Sequence, residues 1–204
     1  MRAALAALAA AAASAVAASP ASAGIVTTSA TSCNDSPLSQ PFAQFLDPAS
    51  YELAPGGAFE TTPAGWQLSG GARVVAGNEP WHVHAARDSS SLLLPAGASA
   101  RTPSICVGLG EPTIRFFAKR NSALLGLVAA LNVTAIVQTN LGTVELPLTP
   151  GVTGGTWSPT LPMPIVANLL PLLPDDRTPI QLRLTAVGGS YQVDDLYVDP
   201  WRMR

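Results

Sequence analysis

Near its C-terminus the chain reads Tyr191-Gln-Val-Asp-Asp-Leu-Tyr-Val-Asp-Pro200, and two adjacent carboxylates, Asp194 and Asp195, stand inside a strand-like pattern. Asp is disfavoured in strands, so the pair needs a reason. Two carboxylates can cleave a glycosidic bond when they flank it about 5–9.5 Å apart. Strict alternation sends Asp194 to the face of Leu196 and Val198 and Asp195 to that of Val193 and Tyr197. On a regular strand the two therefore converge on neither a substrate nor an ion. Support of the fold is expected for Asp194, and local bonding or solvent for Asp195.

Trp81-His-Val-His84 is the second group. Read as a strand, it puts His82 and His84 on one face, and such a pair can hold Zn²⁺, Fe or Mn through imidazole nitrogens. The chain has only these two histidines, so Asp88 or Glu79 would have to complete the set. An exposed polar face is the expectation that wins. No Gly-x-Ser-x-Gly, phosphate loop, dinucleotide fingerprint or zinc-spaced cysteine cluster occurs. A catalytic role is therefore not expected.

Trp66, Trp81, Trp157, Tyr191, Tyr197 and Trp201 offer rings that could stack on sugars. Trp66, after Gly65, reads as core. Trp81 beside the histidines is the first candidate for an exposed platform, then Trp157 in its Gly- and Pro-flanked loop. The expected ligand-binding set is Trp81, His82, His84 and Trp157.

Short strands separated by Pro and Gly must position these groups. They are expected at Ala58–Thr61, Trp66–Ala76, Trp81–Ala85, Ser91–Leu94, Ser104–Val107, Thr113–Arg120, Leu124–Val128, Leu131–Thr139, Thr143–Leu148, Ile180–Ala186 and Tyr191–Val198. Leu131, Val133, Ala135 and Val137 share one face, as do Ile180, Leu182 and Leu184. Short helices are expected at Leu38–Leu46 and Ile165–Leu173. The fold class is an all-β antiparallel sandwich of jelly-roll type.

The first residues, Met1-Arg2, an Ala-rich apolar run and Ala21-Ser-Ala23, form a secretory leader pattern, cleaved after Ala23. An exported protein is expected. In that setting Cys33 and Cys106 read as one disulfide, worth roughly 4 kcal/mol on a chain-entropy model. The expected organisation is a leader over 1–23, an extended or short-helical segment over 24–57, and one sandwich over 58–204. Net charge is −2 with a single lysine, Lys119, so no nucleic-acid partner is indicated. Past the leader, no apolar run reaches the roughly 20 residues of a membrane span.

Ala58-Phe-Glu60 with Gly65-Trp66, Ser91-Leu-Leu-Leu94 and the closing Tyr191–Val198 resemble the marker stretches of galactose-binding-like jelly rolls, among them xylan- and glucan-binding modules. The mature chain also resembles a group of secreted bacterial proteins that end in a DDxYVDP strand. The resemblance implies a structural Ca²⁺ between the first and last strands, held by Glu60 and Asp194, with Asp195 as substitute. Ca²⁺ takes 6–8 oxygens, some of which backbone carbonyls can supply. A salt-bridged pair, with Arg115 or Arg183, is the alternative. The H-x-H stretch resembles the cupin motif only in part, because Gly77 stands four residues ahead of it and Asp88 replaces the expected Glu. The function implied is a secreted, non-catalytic module for a carbohydrate or cell-envelope glycan. The alternatives are a structural or protein-interaction domain of the cell surface and, last, an H-x-H metal enzyme.

Overall fold

A computed structural model of the chain describes residues 36–108, 113–125, 128–139, 142–148, 154–165 and 177–199. The leader, Cys33, Trp201 and all but the first residue of Ile165–Leu173 lie outside the described residues, and so does the bridge expected between Cys33 and Cys106. Among the described residues, fourteen strands form two antiparallel sheets packed face to face, with one short 3₁₀ helix beside them.

The first sheet is organised by β14 (Gly189–Asp199). One of its edges pairs along nearly its whole length with β8 (Thr113–Ala123). Its other edge is shared by β5 (Ser90–Leu94) and β2 (Tyr51–Leu53). Beyond these lie β4 (Arg73–Ala76) on β5 and β1 (Leu38–Ser39) on β2. The outer edge of β8 carries β11 (Ser158–Pro159) and β12 (Met163–Pro164).

The second sheet runs β10 (Gly142–Leu148), β9 (Ala130–Thr139), β13 (Arg177–Val187), β6 (Ser99–Arg101) and β3 (Gln67–Ser69), with β7 (Ile105–Gly108) also on β13. The chain passes from one sheet to the other after β2, β3, β5, β7, β8, β10, β12 and β13, the repeated crossing of a jelly roll.

The core lies between the sheets and follows the alternation read from the sequence. Leu131, Val133, Ala135 and Val137 from β9 face Leu92, Leu94, Phe116 and Val193 across the sandwich, with Ile180, Leu182 and Leu184 beside them. Trp66 is buried, donates Nε1–H to the Pro55 carbonyl at 2.8 Å and meets Phe59 edge to face. A second cluster covers the outer face of the first sheet, where Phe42, Tyr51, Phe117 and Tyr197 are buried under the N-terminal segment.

Several expected elements differ. Ala58–Thr61 is a turn, because Phe59 takes φ +52 after Gly56 at φ +68. Trp66–Ala76 is broken into β3 and β4 by Gly70 and Gly71, both at positive φ. Trp81–Ala85 is irregular, since the Glu79 carboxylate captures the Trp81 and Val83 N–H groups that a ladder would use. Leu124, Leu125 and Val128 lie outside any strand. Only Ala43–Phe45 of Leu38–Leu46 is helical, as 3₁₀, ending at Leu46 in the left-handed region.

The β13–β14 turn uses one residue, Gly188 at φ +62. Gly189 follows against β8, where an added Cβ would sit 2.3 Å from the Ser122 carbonyl oxygen. Gly189→Ala should therefore destabilise the fold by about 1–3 kcal/mol, the usual cost of overpacking. Gly154→Ala, with open space around it, is the neutral control. Equal urea midpoints for the two variants would contradict this packing.

Candidate functional site

The site starts at a defect in β14. Asp194 pairs with Phe117 and Tyr197 with Arg115, so Asp195 and Leu196 together oppose Phe116 alone. This is a β-bulge, and Asp195 carries it at φ +49, a conformation that Asp tolerates better than most residues. The extra residue shifts the alternation. Val193, Leu196 and Val198 all enter the main core, while Tyr197 joins the outer cluster. Asp194 thus does not share the Leu196 and Val198 face, and Asp195 does not meet solvent. Both carboxylates are 0% exposed, and both are drawn toward the segment from Gly77 to Ser90.

That segment is built on carboxylates. Asp194 Oδ2 accepts the Glu79 N–H at 3.0 Å, and its Oδ1 accepts the Asp195 N–H at 3.0 Å. Glu79, fully buried, accepts from Trp81 N at 2.5 Å and Val83 N at 2.6 Å, which folds the turn. Asp88 Oδ2 accepts the Ala85 N–H at 3.0 Å and lies 2.7 Å from His84 Nδ1. Glu60 closes the far side by accepting from Ser89 N at 2.9 Å and Ser90 N at 3.0 Å. The two Asp195 oxygens are buried without a hydrogen-bond partner.

One ligand atom each from His84, Asp88 and Asp195 lies within 4.8 Å of the others. These three could hold a metal ion. Glu60 and Asp194, the pair implied for calcium, are outside this group. Neither Arg115 nor Arg183 reaches it, because Arg115 pairs with Asp47 and Arg183 with Glu145. His82 sits at φ +49 and approaches Asn78 at 3.4 Å, so the two histidines do not share a strand face. Sequence reasoning weighed Asp88 and Glu79 only as helpers of an H-x-H pair. Their actual signal was turn chemistry: each sits a few residues from N–H groups that no ladder satisfies.

Burial pushes the Asp194 carboxyl up to about 8, against the two N–H bonds that oppose the shift. Burial and then the Asp194 charge push Asp195 up to about 9. Among the described residues, Glu79, Asp88, Asp194 and Asp195 form no ion pair with Lys or Arg. Their one cationic neighbour is His84 when protonated.

The aromatic candidates lie on the same outer face. Trp81 is 36% exposed, edge-on to Phe45 at 4.9 Å and tilted over Phe117 at 5.6 Å. Trp157 packs against the same cluster, half-buried, with the Lys119 ammonium 4.9 Å over its ring. Tyr191 and Tyr197 are buried and present no stacking face. The strands of the second sheet contain no aromatic residue. Its outer face is polar, with Arg183 paired to Glu145 and Arg101 donating to Gln181.

No family model and no curated protein matches the chain. Among solved structures it is similar to the CBM22-1 xylan-binding domain of Paenibacillus barcinonensis Xyn10C, at 17% identity over 72% of this chain and 94% of that one, TM-score 0.45. It is also similar to the CBM22-1–GH10 modules of Clostridium thermocellum xylanase 10B complexed with xylohexaose, at 15% identity over 71% and 28%, TM-score 0.47. A third is the family 11 carbohydrate-binding module of Clostridium thermocellum Lic26A-Cel5E, at 12% over 74% and 95%, TM-score 0.41.

The raised carboxyls fix a sign for the metal-free protein. Unfolded, Asp194 and Asp195 lose their protons near pH 4 (roughly), whereas folded they hold them to about 8 and about 9. The folded state binds the extra protons in that window, so stability falls as pH rises from about 4 and levels off above about 9. The groups facing the pair are Glu79, Asp88, His84, Glu60 and Tyr197. After chelator dialysis, the unfolding midpoint should decline between about pH 5 and 9. Asp195→Asn should flatten that decline, and a wild-type midpoint that rises across the range would contradict the assignment.

Proposed function

We propose that the protein is an exported, non-catalytic binding module that takes a glycan on its Trp81 face. The observation that carries this reading is the half-open indole of Trp81, held against Phe45 and Phe117, on the face where Trp157 also packs against the outer cluster under Lys119. A rigid ring with an apolar face and a wet edge suits the axial C–H surface of a sugar, at little cost in side-chain entropy. His82 and His84, both exposed in the same turn, supply hydrogen-bonding edges beside it. The non-catalytic part rests on burial: a glycosidic bond must reach both of its carboxylates, and Asp194 and Asp195 are 0% exposed. Glu60 and Asp194, the calcium pair that the resemblance implies, already accept N–H bonds, so the glycan reading stands on the aromatic face and not on calcium.

A protein-interaction domain is the second reading, and one observation favours it. Leu124, Leu125 and Val128 at the β8–β9 connection are 48%, 103% and 87% exposed, with Val187 41% exposed. Such an apolar end suits contact with another surface.

Retention on insoluble xylan, cellulose and peptidoglycan, compared with Trp81→Ala, tests the first reading. Wild type should be retained on at least one polymer, and loss of the indole should weaken binding about tenfold. No retention on any polymer, or retention unchanged in both Trp81→Ala and Trp157→Ala, would overturn it.

A further inference from the structure

We infer that His84, Asp88 and Asp195 form a site for one divalent transition-metal ion of the zinc class, and that this site does not select calcium. The inference stands on the acidic end of the Gly77–Ser90 segment and is independent of whether a glycan binds at Trp81.

The geometry comes first. One atom from each residue lies within 4.8 Å of the other two. Asp195 is fully buried, and both of its oxygens lack a hydrogen-bond partner while it stands within that group. A buried carboxylate left without donors is costly, and a cation is the partner that removes the cost. Asp88 is 7% exposed, whereas the His84 side chain is 38% exposed and stands at the mouth. An ion can therefore enter past His84, and a water can fill a fourth position on that side.

Donor chemistry then selects the ion. One imidazole nitrogen and two carboxylates suit Zn²⁺, Mn²⁺ or Co²⁺. Calcium wants six to eight oxygens, so an imidazole at the entrance is the wrong donor. The oxygen-rich alternative is already engaged. Glu60 spends both oxygens on Ser89 and Ser90, and Asp194 spends both on the N–H groups of Glu79 and Asp195. The calcium implied by the resemblance does not fit these residues.

The ligands are held in place before any ion arrives. Glu79 shapes the turn that carries His84, through the Trp81 and Val83 N–H groups. Asp88 fixes the imidazole at 2.7 Å and the Ala85 N–H at 3.0 Å. Two ligands at about 2.1 Å from a tetrahedral ion stand roughly 3.4 Å apart, so the His84–Asp88 contact opens by roughly 0.7 Å on loading. Rotation of the exposed His84 side chain supplies that movement.

The test uses the full chain stripped with EDTA and titrated separately with ZnCl₂, CoCl₂, CaCl₂ and MgCl₂, read by calorimetry and thermal shift. Zn²⁺ and Co²⁺ should bind one to one and raise the unfolding midpoint, and Co²⁺ should develop visible absorption bands of a low-coordinate N/O site. Ca²⁺ and Mg²⁺ at equal concentration should do neither. His84→Ala and Asp195→Asn should each weaken Zn²⁺ by about a hundredfold or more, beyond the 10–100-fold typical of residues that only orient ligands. Metal-free Asp195→Asn should stay folded and at least as stable as wild type at pH 8, which separates lost binding from lost folding. If a variant does not fold, the wild-type cobalt spectrum and the zinc-to-calcium preference decide. Calcium binding as tight as zinc and unchanged in His84→Ala overturns the inference, and so does binding of no divalent ion.

Discussion

The architecture turns on one extra residue in its central strand. At the Asp195–Leu196 bulge β14 gives up ladder pairing, and its backbone groups find other partners: the Leu196 N–H donates to the Gly57 carbonyl at 3.1 Å and the Leu196 carbonyl accepts from Ala54 at 2.9 Å. That close approach needs a glycine, since a Cβ on Gly57 would fall 2.8 Å from the Leu196 oxygen. The bulge thereby ties the Ala54–Gly57 turn into the sheet and keeps Leu196 and Val198 in the core. It also leaves two carboxylates on the outer side, buried behind the exposed His84. Bulges beside sites commonly re-aim a side chain in this way.

The same outer face shows how the fold treats a half-buried carboxylate when it supplies partners. Asp47 lies some distance along the sheet, where burial alone would raise its carboxyl. Hydrogen bonds from Tyr51, the Ala49 N–H and Arg115 outweigh that effect and hold it below the usual range. Arg115 itself is 5% exposed, lies 4.2 Å over the Phe42 ring and donates to the Thr160 carbonyl at 2.9 Å. Arg115 also donates to Asp47, which clamps the N-terminal segment to the sheet. At Asp195 no such donor is present. A fold that satisfies a half-buried acid and leaves a fully buried one bare has a local reason for the difference.

What could be read from the sequence was periodic. β9 and β13 each bury one face, and a period of two exposes that face as Leu131, Val133, Ala135 and Val137, or as Ile180, Leu182 and Leu184. Trp66 as core was legible for the same reason, being a large apolar residue between turns. The bulge was not legible, because one inserted residue changes the phase of everything after it without changing composition. Asp194-Asp195 was its only trace, and alternation gave the wrong faces for both. The Trp81–Ala85 segment failed differently. Its residues have strand propensity, yet a buried Glu79 takes the N–H groups that pairing requires, and nothing local reveals that Glu79 is buried.

Site and aromatic face are joined by a single run of backbone. Between Glu79 and Asp88 the chain presents Trp81 outward to Phe45 and Phe117, and His84 inward to the acids. Its shape is held by four N–H bonds to carboxylates, at Trp81, Val83, Ala85 and, through Asp194, Glu79 itself. Carboxylate acceptors are strong when charged, but burial favours the neutral form of Asp194 and Asp195. A positive charge beside them favours the ionised form of Asp194 and so strengthens its bond from the Glu79 N–H. The turn that presents Trp81 is thus tied to β14 through Glu79, whose carboxylate holds the Trp81 N–H and whose own N–H donates to Asp194.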